Sequence, residues 1–164
     1  MPLVTGTRFG VSDPPAFRNR PKSSSRTQGV GFCCTLYFRM IIGSGIDLVE
    51  IERIEQSVAR YGQRFLDRVF TPAEQAYCQR KRKAAESFAA RFAAKEAGAK
   101  ALGTGIGYGV NWREIEVARA PSGRPSLVFH GRAAEIAAHM GVRHAALSLT
   151  HSNQLASASV ILED

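Results

Sequence analysis

From Met40 onward, hydrophobic and polar residues repeat with periods that predict secondary structure. Residues 40–46 form a short apolar run with glycines, which predicts a strand. From Leu48 to about Leu66, apolar residues recur every three or four positions, which predicts an amphipathic helix; they are Ile51, Ile54, Val58, Tyr61 and Phe65. Residues 71–74 read Thr-Pro-Ala-Glu, which is a capping box with a favoured proline, so a second helix is expected to begin there.

The following residues predict one long helix and then several strands. The helix runs from about Ala84 to Leu102, with Gly103 as its C-terminal cap. After the glycine-rich residues 103–109 the apolar period changes to two, which predicts strands. The elements expected there are strands at 115–117, 127–129, 145–150 and 155–162 and a short helix at 132–140. This order predicts a single α+β domain with a largely antiparallel sheet.

Residues 1–39 show no such period. They contain four prolines and a serine run, so we predict an unstructured extension in front of a folded domain at residues 40–164. A signal peptide is disfavoured because no small-residue cleavage site follows the apolar stretch at 29–38, whereas an organellar transit peptide fits the basic composition. We favour upstream sequence joined to a true start at Met40, where the regular pattern begins abruptly. A membrane span is not expected, since the apolar stretch is about half the ~20 residues needed.

Composition and charge narrow the class of protein. The length of 164 residues and the 45% apolar content are typical of one soluble domain. The net charge is +8, but residues 1–39 carry six Lys/Arg and one Asp, so residues 40–164 carry only +3. This weakens a rival interpretation as a nucleic-acid-binding module. The three cysteines form neither a disulfide framework nor a metal motif, which favours a reducing cytoplasm.

Two acidic residues are candidate metal ligands. Asp47 ends the glycine-rich strand, where a carboxylate can face a site, although Asp is also a preferred helix N-cap. Glu96 lies among alanines on the same helix face as Lys100, and a surface Glu–Lys pair is the alternative. Together the carboxylates suit Mg²⁺, which proteins bind through one or two carboxylates together with phosphate oxygens and waters.

Basic residues gather in two places. The first group surrounds the long helix and suits either a ligand with several phosphates or a solvated surface; it comprises Arg80, Lys81, Arg82, Lys83, Arg91, Lys95 and Lys100. The second group lies opposite the apolar face of the first helix and comprises Arg53, Arg60 and Arg64. Such a stripe suits an acidic partner helix, a membrane or nucleic acid. Nearby glutamates at 50, 52 and 55 disfavour the last two.

His151 lies in the last tight turn, next to Ser152. A phosphate or ribose contact and a plain turn residue are equally compatible with this position. A serine hydrolase is disfavoured because the sequence has no Gly-x-Ser-x-Gly nucleophile elbow.

Five ordered segments resemble the holo-[acyl-carrier-protein] synthases, the short trimeric family of 4'-phosphopantetheinyl transferases. They are residues 42–51, 68–74, 88–97 with 100–105, 122–125 and 147–152. The resemblance covers residues 40–164, and its long helical segment is the most specific part. Ser44 stands where the family usually has an apolar residue, and the extension at 1–39 has no family counterpart.

The resemblance implies the 4'-phosphopantetheinyl transferase fold and a homotrimer with active sites between subunits. It implies transfer of 4'-phosphopantetheine from coenzyme A to a serine of an acyl carrier protein, with release of 3',5'-ADP, in support of fatty acid biosynthesis. Neither nucleic acid nor a membrane is an expected partner. A non-catalytic scaffold of this fold would lack Asp47 or Glu96, and both are present.

The resemblance also implies roles for particular residues. Mg²⁺ is assigned to Asp47 and Glu96, and docking of the carrier to Arg53 and Arg60. Contacts with coenzyme A are assigned to Arg91, Lys95, Lys100, Gly103, Thr104 and His151. We further expect Glu96 to act as the base, directly or through a bound water, and Lys95 or Lys100 to assist the leaving phosphate.

Overall fold

The computed structural model describes residues 39–164, and the elements follow the predicted order. The helices of this region are α1 (Ile51–Val69), α2 (Pro72–Gln79), α3 (Ala84–Ala101) and α4 (Gly131–His139). Its strands are β1 (Ile41–Glu50), β2 (Ile115–Arg119), β3 (Pro125–Phe129), β4 (His144–His151) and β5 (Leu155–Glu163), with a 3₁₀ turn at Trp112–Glu114. The expectation for the extension at 1–39 lies outside the described residues, apart from Arg39.

Antiparallel pairing joins the strands into two sheets. The larger sheet has the order β1-β5-β4, and the smaller is the hairpin of β2 and β3. Ala158 of β5 lies opposite both Asp47 of β1 and Leu149 of β4. The predicted α+β class and antiparallel pairing are therefore confirmed, but the strands form two sheets where the sequence predicted one.

The centre of the core is α3, which packs against the three-stranded sheet. Its inward residues are small and fully buried, among them Ala93 and Ala97. The facing side chains of β5, including Val160 and Leu162, are buried as well. Small residues let a helix and a sheet approach closely, and this approach sets the geometry of the site described below.

The boundary between β1 and α1 lies later than the sequence predicted. The strand continues to Glu50, which is the N-cap of α1 with φ −71° and ψ 126°, so the helix begins at Ile51 rather than Leu48. Asp47 therefore lies inside the strand, and the alternative in which it caps the helix is wrong.

Gly62 interrupts α1. Its φ of 53° and ψ of −135° are not helical, and side chains with a Cβ rarely adopt such a conformation. The basic stripe expected on one straight helix is consequently divided, because Arg53 and Arg60 precede the kink and Arg64 follows it.

Both predicted helix caps are confirmed. Thr71 Oγ1 accepts a hydrogen bond from the backbone N–H of Glu74 at 3.3 Å, and Glu74 Oε2 accepts one from the Thr71 N–H at 2.8 Å. Gly103 follows α3 with φ 74°, and its N–H donates to the Lys100 carbonyl at 3.0 Å. Within residues 39–164, none of the helices combines the length and apolar character needed to cross a membrane.

Candidate active site

Two glycines of β1 allow this strand to lie directly on α3. A Cβ atom on Gly45 would lie 2.0 Å from the carbonyl oxygen of Ala97, and a Cβ atom on Gly43 would lie 2.3 Å from that of Ala101. A larger residue at either position would push the strand away from the helix. Because side chains alternate along a strand, Asp47 shares the face of Gly45 that is directed at α3.

Asp47 meets two charged residues of α3. Lys100 Nζ donates to Asp47 Oδ1 at 2.7 Å and to the Ile46 carbonyl at 3.2 Å. Burial raises the pKa of Glu96, and the nearby negative charge of Asp47 raises it further, while Lys100 and Arg53 lower it. The structure thus brings together the acidic pair that the sequence singled out, although they lie 49 positions apart in the sequence.

The chemistry of this carboxylate pair, Asp47 and Glu96, suits a divalent cation. Two ionised carboxylates that lie close together repel each other, and this repulsion disfavours the ionised form of each. A cation bound between them reduces the repulsion. The Lys100 ammonium already forms an ion pair with Asp47. Within the described part of the chain there is no cluster of three or more His, Cys, Asp or Glu residues arranged to hold a metal. The pair therefore fits Mg²⁺ that takes its remaining ligands from phosphate and water, as is usual for this ion.

A second site is a cavity of about 620 Å³ with several cations in its wall. We call it the cationic cavity; its lining includes Tyr77, Lys81, Arg82, Lys83, Glu86, Arg91, Arg119 and His151. Arg91 is 4% exposed, and its Nε atom has no hydrogen-bond partner within residues 39–164. The wall gathers the positive charges of Lys81, Arg82, Arg91 and Arg119, so it is suited to an anion.

The carboxylate pair and the cationic cavity lie on different sides of α3. Glu96 follows Arg91 by five residues, which in an α-helix corresponds to about 7.5 Å along the axis and roughly 140° around it. Glu96 is directed at β1, whereas Arg91 faces Tyr77 of α2. Both residues were predicted to share one site, and nothing in the local sequence indicates that their side chains point in different directions.

Lys95 reaches neither site. Its side chain is fully buried, and its Nζ atom forms an ion pair with Glu74 Oε2 at 2.8 Å and donates to the backbone carbonyls of Trp112 and Ile115. Burial lowers the pKa of Lys95, although the charge of Glu74 acts in the opposite direction. This placement does not support the expected contact of Lys95 with coenzyme A or with the leaving phosphate, because all three ammonium donors are already engaged inside the protein.

The other predicted site residues divide between the two places. Gly103 and Thr104 follow the end of α3 beyond Lys100, and Thr104 N–H donates to the Ala99 carbonyl at 3.1 Å. His151 lines the cationic cavity, where its Nδ1 atom lies 3.8 Å from Glu86 Oε2. Arg53 and Arg60 are exposed on the first segment of α1.

Tyr77 and Arg119 also line the cationic cavity, but neither was among the residues predicted for a site. The strand predicted nearby, at 115–117, ended before Arg119, and Tyr77 belonged to no predicted motif or basic group. Their approach depends on the packing of α2 against the β2–β3 hairpin, which a local pattern does not encode.

The family model of the 4'-phosphopantetheinyl transferase superfamily matches residues 43–158, which is most of the described region. The holo-[acyl-carrier-protein] synthase of Koribacter versatilis is 60% identical over 125 residues, covering 76% of this chain and 100% of the relative. The chain therefore belongs to the holo-[acyl-carrier-protein] synthase family of this superfamily, and the resemblance found in the sequence is confirmed.

Solved structures agree with the sequence relatives. The holo-[acyl-carrier-protein] synthase of Neisseria meningitidis superposes with a TM-score of 0.70 at 34% identity, over 76% of this chain and 100% of that one. The Helicobacter pylori synthase, solved in complex with coenzyme A, superposes with a TM-score of 0.65 at 33% identity, over 73% and 98% of the two chains.

Proposed function

We propose that this protein transfers the 4'-phosphopantetheine arm of coenzyme A to a serine of an apo-acyl carrier protein and releases 3',5'-ADP. The observation that carries the proposal is the carboxylate pair with Lys100 beside it, on the fold of a family whose members include a coenzyme A complex. Coenzyme A carries a diphosphate and a phosphomonoester, and the chain offers two places suited to phosphate.

The diphosphate is assigned to Asp47, Glu96 and Lys100, with Mg²⁺ held by the two carboxylates. When bound, Mg²⁺ neutralises charge on the diphosphate oxygens. Lys100 is 49% exposed at its side chain and retains donor capacity, so it can neutralise the phosphate that leaves. Gly103 and Thr104, at the end of α3 beyond Lys100, are placed to add backbone and hydroxyl contacts to the same group.

Glu96 is proposed as the base that takes the proton of the carrier serine, directly or through a water. The serine oxygen forms a bond to the phosphorus that bears the pantetheine arm, and the bond from that phosphorus to the bridging oxygen breaks. A carboxylate held beside a hydroxyl can accept its proton. In the metal-free protein, burial and the charge of Asp47 raise the pKa of Glu96, and a bound Mg²⁺ would offset that rise.

The phosphomonoester of coenzyme A is assigned to the cationic cavity, with Arg91 and His151 in its wall. Because Arg91 and Glu96 face different sides of α3, we infer that one coenzyme A molecule contacts the carboxylate pair of one copy and the cationic cavity of a neighbouring copy. Such sharing supports an assembly of several copies, for which we propose the homotrimer that the family resemblance implies. Ile46 and Leu48, both more than 60% exposed on β1, suit a contact between copies.

The carrier is assigned to the first segment of α1. Arg53 and Arg60 are exposed there, and the charge of Arg53 is close enough to affect Glu96. An acidic partner helix that binds these arginines would therefore lie beside the base. Opposite charges on two protein surfaces speed encounter and fix their orientation.

The central experiment is mass spectrometry of an apo-acyl carrier protein incubated with this protein, coenzyme A and magnesium. We expect the carrier to gain the mass of phosphopantetheine, and EDTA to prevent the gain. Glu96→Gln should reduce the rate by about 10²–10⁴-fold, as expected for loss of a general base, without changing the oligomeric state. An unmodified carrier would contradict the function, and full activity of Glu96→Gln would remove Glu96 from the mechanism.

A mixing experiment tests the shared site. Glu96→Gln and Arg91→Gln should each be inactive alone, because each lacks one half of every site. After unfolding and refolding of an equal mixture, about a quarter of the sites in a cyclic trimer combine an intact half from each copy, so part of the activity should return. A mixture as inactive as its components would show that both halves come from one chain.

A further inference from the structure

The ring of Tyr77 lies among three positive charges. Arg91 Cζ is 4.2 Å from the ring centroid, Lys81 Nζ is 4.7 Å away, and Arg119 Cζ is 4.8 Å away. The cations come from three parts of the fold: the turn after α2, the middle of α3, and the end of β2. One aromatic ring thus gathers cations that lie up to 38 positions apart in the sequence.

In the part of the chain that the structure describes, no carboxylate is paired with any of these three cations. Within residues 39–164, none of them forms a salt bridge; Arg91 donates to the Ser87 carbonyl and Arg119 to the Gly123 carbonyl. Glu86, the acidic residue in the same wall, pairs with Lys83 at 2.7 Å. Like charges so close repel one another, and the negative face of the Tyr77 ring is the feature that offsets this repulsion.

The geometry also leaves the cations available. A cation–π contact attracts a guanidinium through its face and leaves the N–H groups in its plane free to donate. A carboxylate in the place of Tyr77 would instead accept those N–H groups and compete with a ligand. Lys81 and Arg119 are exposed, so their remaining donors can reach an anion in the cationic cavity.

We propose that Tyr77 is a positioning residue that makes the enzyme selective for coenzyme A with its ribose phosphomonoester. The ring holds Lys81, Arg91 and Arg119 together as a receptor for one phosphate dianion in the cationic cavity. This inference rests on the proposed function, since it concerns the ligand of the same reaction. Within residues 39–164, the charged groups recorded over the Tyr77 ring belong to the cationic cavity, which is assigned to the phosphomonoester and not to the reacting diphosphate.

The test compares coenzyme A with 3'-dephospho-coenzyme A, which lacks the phosphomonoester and is otherwise identical. We expect Tyr77→Leu to raise the KM for coenzyme A about tenfold while kcat changes little, because cation–π attraction at several cations is lost. The KM for 3'-dephospho-coenzyme A should stay nearly constant. The ratio of kcat/KM for the two substrates should therefore fall about tenfold, a change that a general loss of stability does not produce.

Two variants serve as controls. Tyr77→Phe keeps the aromatic face and removes only the hydroxyl, so its ratio should stay within about twofold of the wild-type ratio. Arg132→Gln removes one positive charge from α4, where Arg132 pairs with Glu135, and should leave the ratio unchanged. If Tyr77→Leu does not fold, Arg119→Gln replaces it, because Arg119 is exposed and its loss should also lower the ratio.

The outcomes separate the inference from the proposed function. An unchanged ratio in Tyr77→Leu, or in Arg119→Gln where the first variant does not fold, overturns the positioning role even if the wild-type protein modifies its carrier. An equal fall in Tyr77→Phe and Tyr77→Leu overturns the role of the aromatic face. A wild-type protein that modifies no carrier contradicts the function itself.

Discussion

Two lysines of α3 each pair with a carboxylate from another element, and the two pairs differ in almost every other respect. Lys95 and Glu74 are fully buried, with 2.8 Å between Nζ and Oε2. Lys100 and Asp47 lie 2.7 Å apart, but their side chains are 49% and 15% exposed. The two lysines are only five residues apart in an alanine-rich helix, so the local sequence hardly distinguishes them.

The difference lies in the hydrogen bonds that remain available. Glu74 accepts from Lys95, from the Thr71 N–H at 2.8 Å and from the Val117 N–H at 2.9 Å, so this pair joins α2, α3 and β2 with every strong donor engaged. Lys100 retains unused donor capacity, and Asp47 shares its surroundings with Glu96. A completed buried pair stabilises the fold, whereas an incomplete and accessible pair can bind a ligand.

Lys95→Met should have the largest effect on stability. It leaves the Glu74 carboxylate buried without its cation, and breaking such a pair costs about 3–5 kcal/mol. Urea unfolding followed by circular dichroism measures the loss. The double variant Lys95→Met with Glu74→Gln should recover part of it, because no unpaired charge then remains. A loss below about 1 kcal/mol in the single variant would mean that the buried pair is not a structural element.

Lys100→Met should affect activity and leave stability nearly unchanged. An exposed ion pair contributes about 0–1 kcal/mol to folding, so the urea midpoint should hardly move. The transfer rate should fall on the order of 100-fold, as expected when one donor to developing negative charge is removed. Lys100→Arg keeps the charge and should retain more activity. If Lys100→Met lowered the urea midpoint as much as Lys95→Met does, the two lysines would not differ in their structural role.

Gly45→Ala tests how Asp47 reaches α3. The new Cβ would need to lie 2.0 Å from the Ala97 carbonyl oxygen, so β1 must move away from the helix. Overpacking of this kind costs about 1–3 kcal/mol, and transfer should decline because Asp47 moves with its strand. Ser44→Ala is the matched control, since Ser44 is exposed on the other side of the same strand. If Gly45→Ala and Ser44→Ala had the same stability and the same transfer rate, the close approach of β1 to α3 would not be required for activity.

Much of this fold could be predicted because its signals are local. The capping box at Thr71 and Glu74 and the glycine after α3 are short motifs whose hydrogen bonds form within a few residues. The change from a helical to a strand period of apolar residues near residue 110 is likewise visible within a short stretch of sequence. The kink in α1 was not predictable, because a single glycine in a helical pattern is usually tolerated and nothing nearby marks Gly62.

The site was predictable in part. The resemblance indicated Asp47 and Glu96, and the structure brings them together. The inward direction of Lys95 was missed because its partner Glu74 is 21 positions earlier and the backbone groups it binds are about 20 positions later. The gathering of three cations around Tyr77 was missed for the same reason. Long-range packing decides which of several similar lysines and arginines face a ligand, and composition does not contain that information.

Arg53→Gln should have the smallest effect, which is a shift in the pH dependence of kcat. The Arg53 charge lowers the pKa of Glu96 against the raising effects of burial and Asp47, so its removal should raise that pKa further. If Glu96 must be deprotonated to act, the acidic limb of kcat at saturating carrier should move to higher pH. Arg60→Gln, on the same helix segment, is the control and should leave the limb in place.

The raised pKa of Glu96 also makes the stability of the folded protein depend on pH. Because the pKa of Glu96 is raised in the folded state, folded protein binds this proton more tightly than unfolded protein does. In metal-free buffer, the free energy of unfolding should therefore fall as pH rises from the ordinary carboxyl pKa through the raised one. Glu96→Gln should abolish that slope. An unchanged slope in this variant would mean that another group is responsible for it.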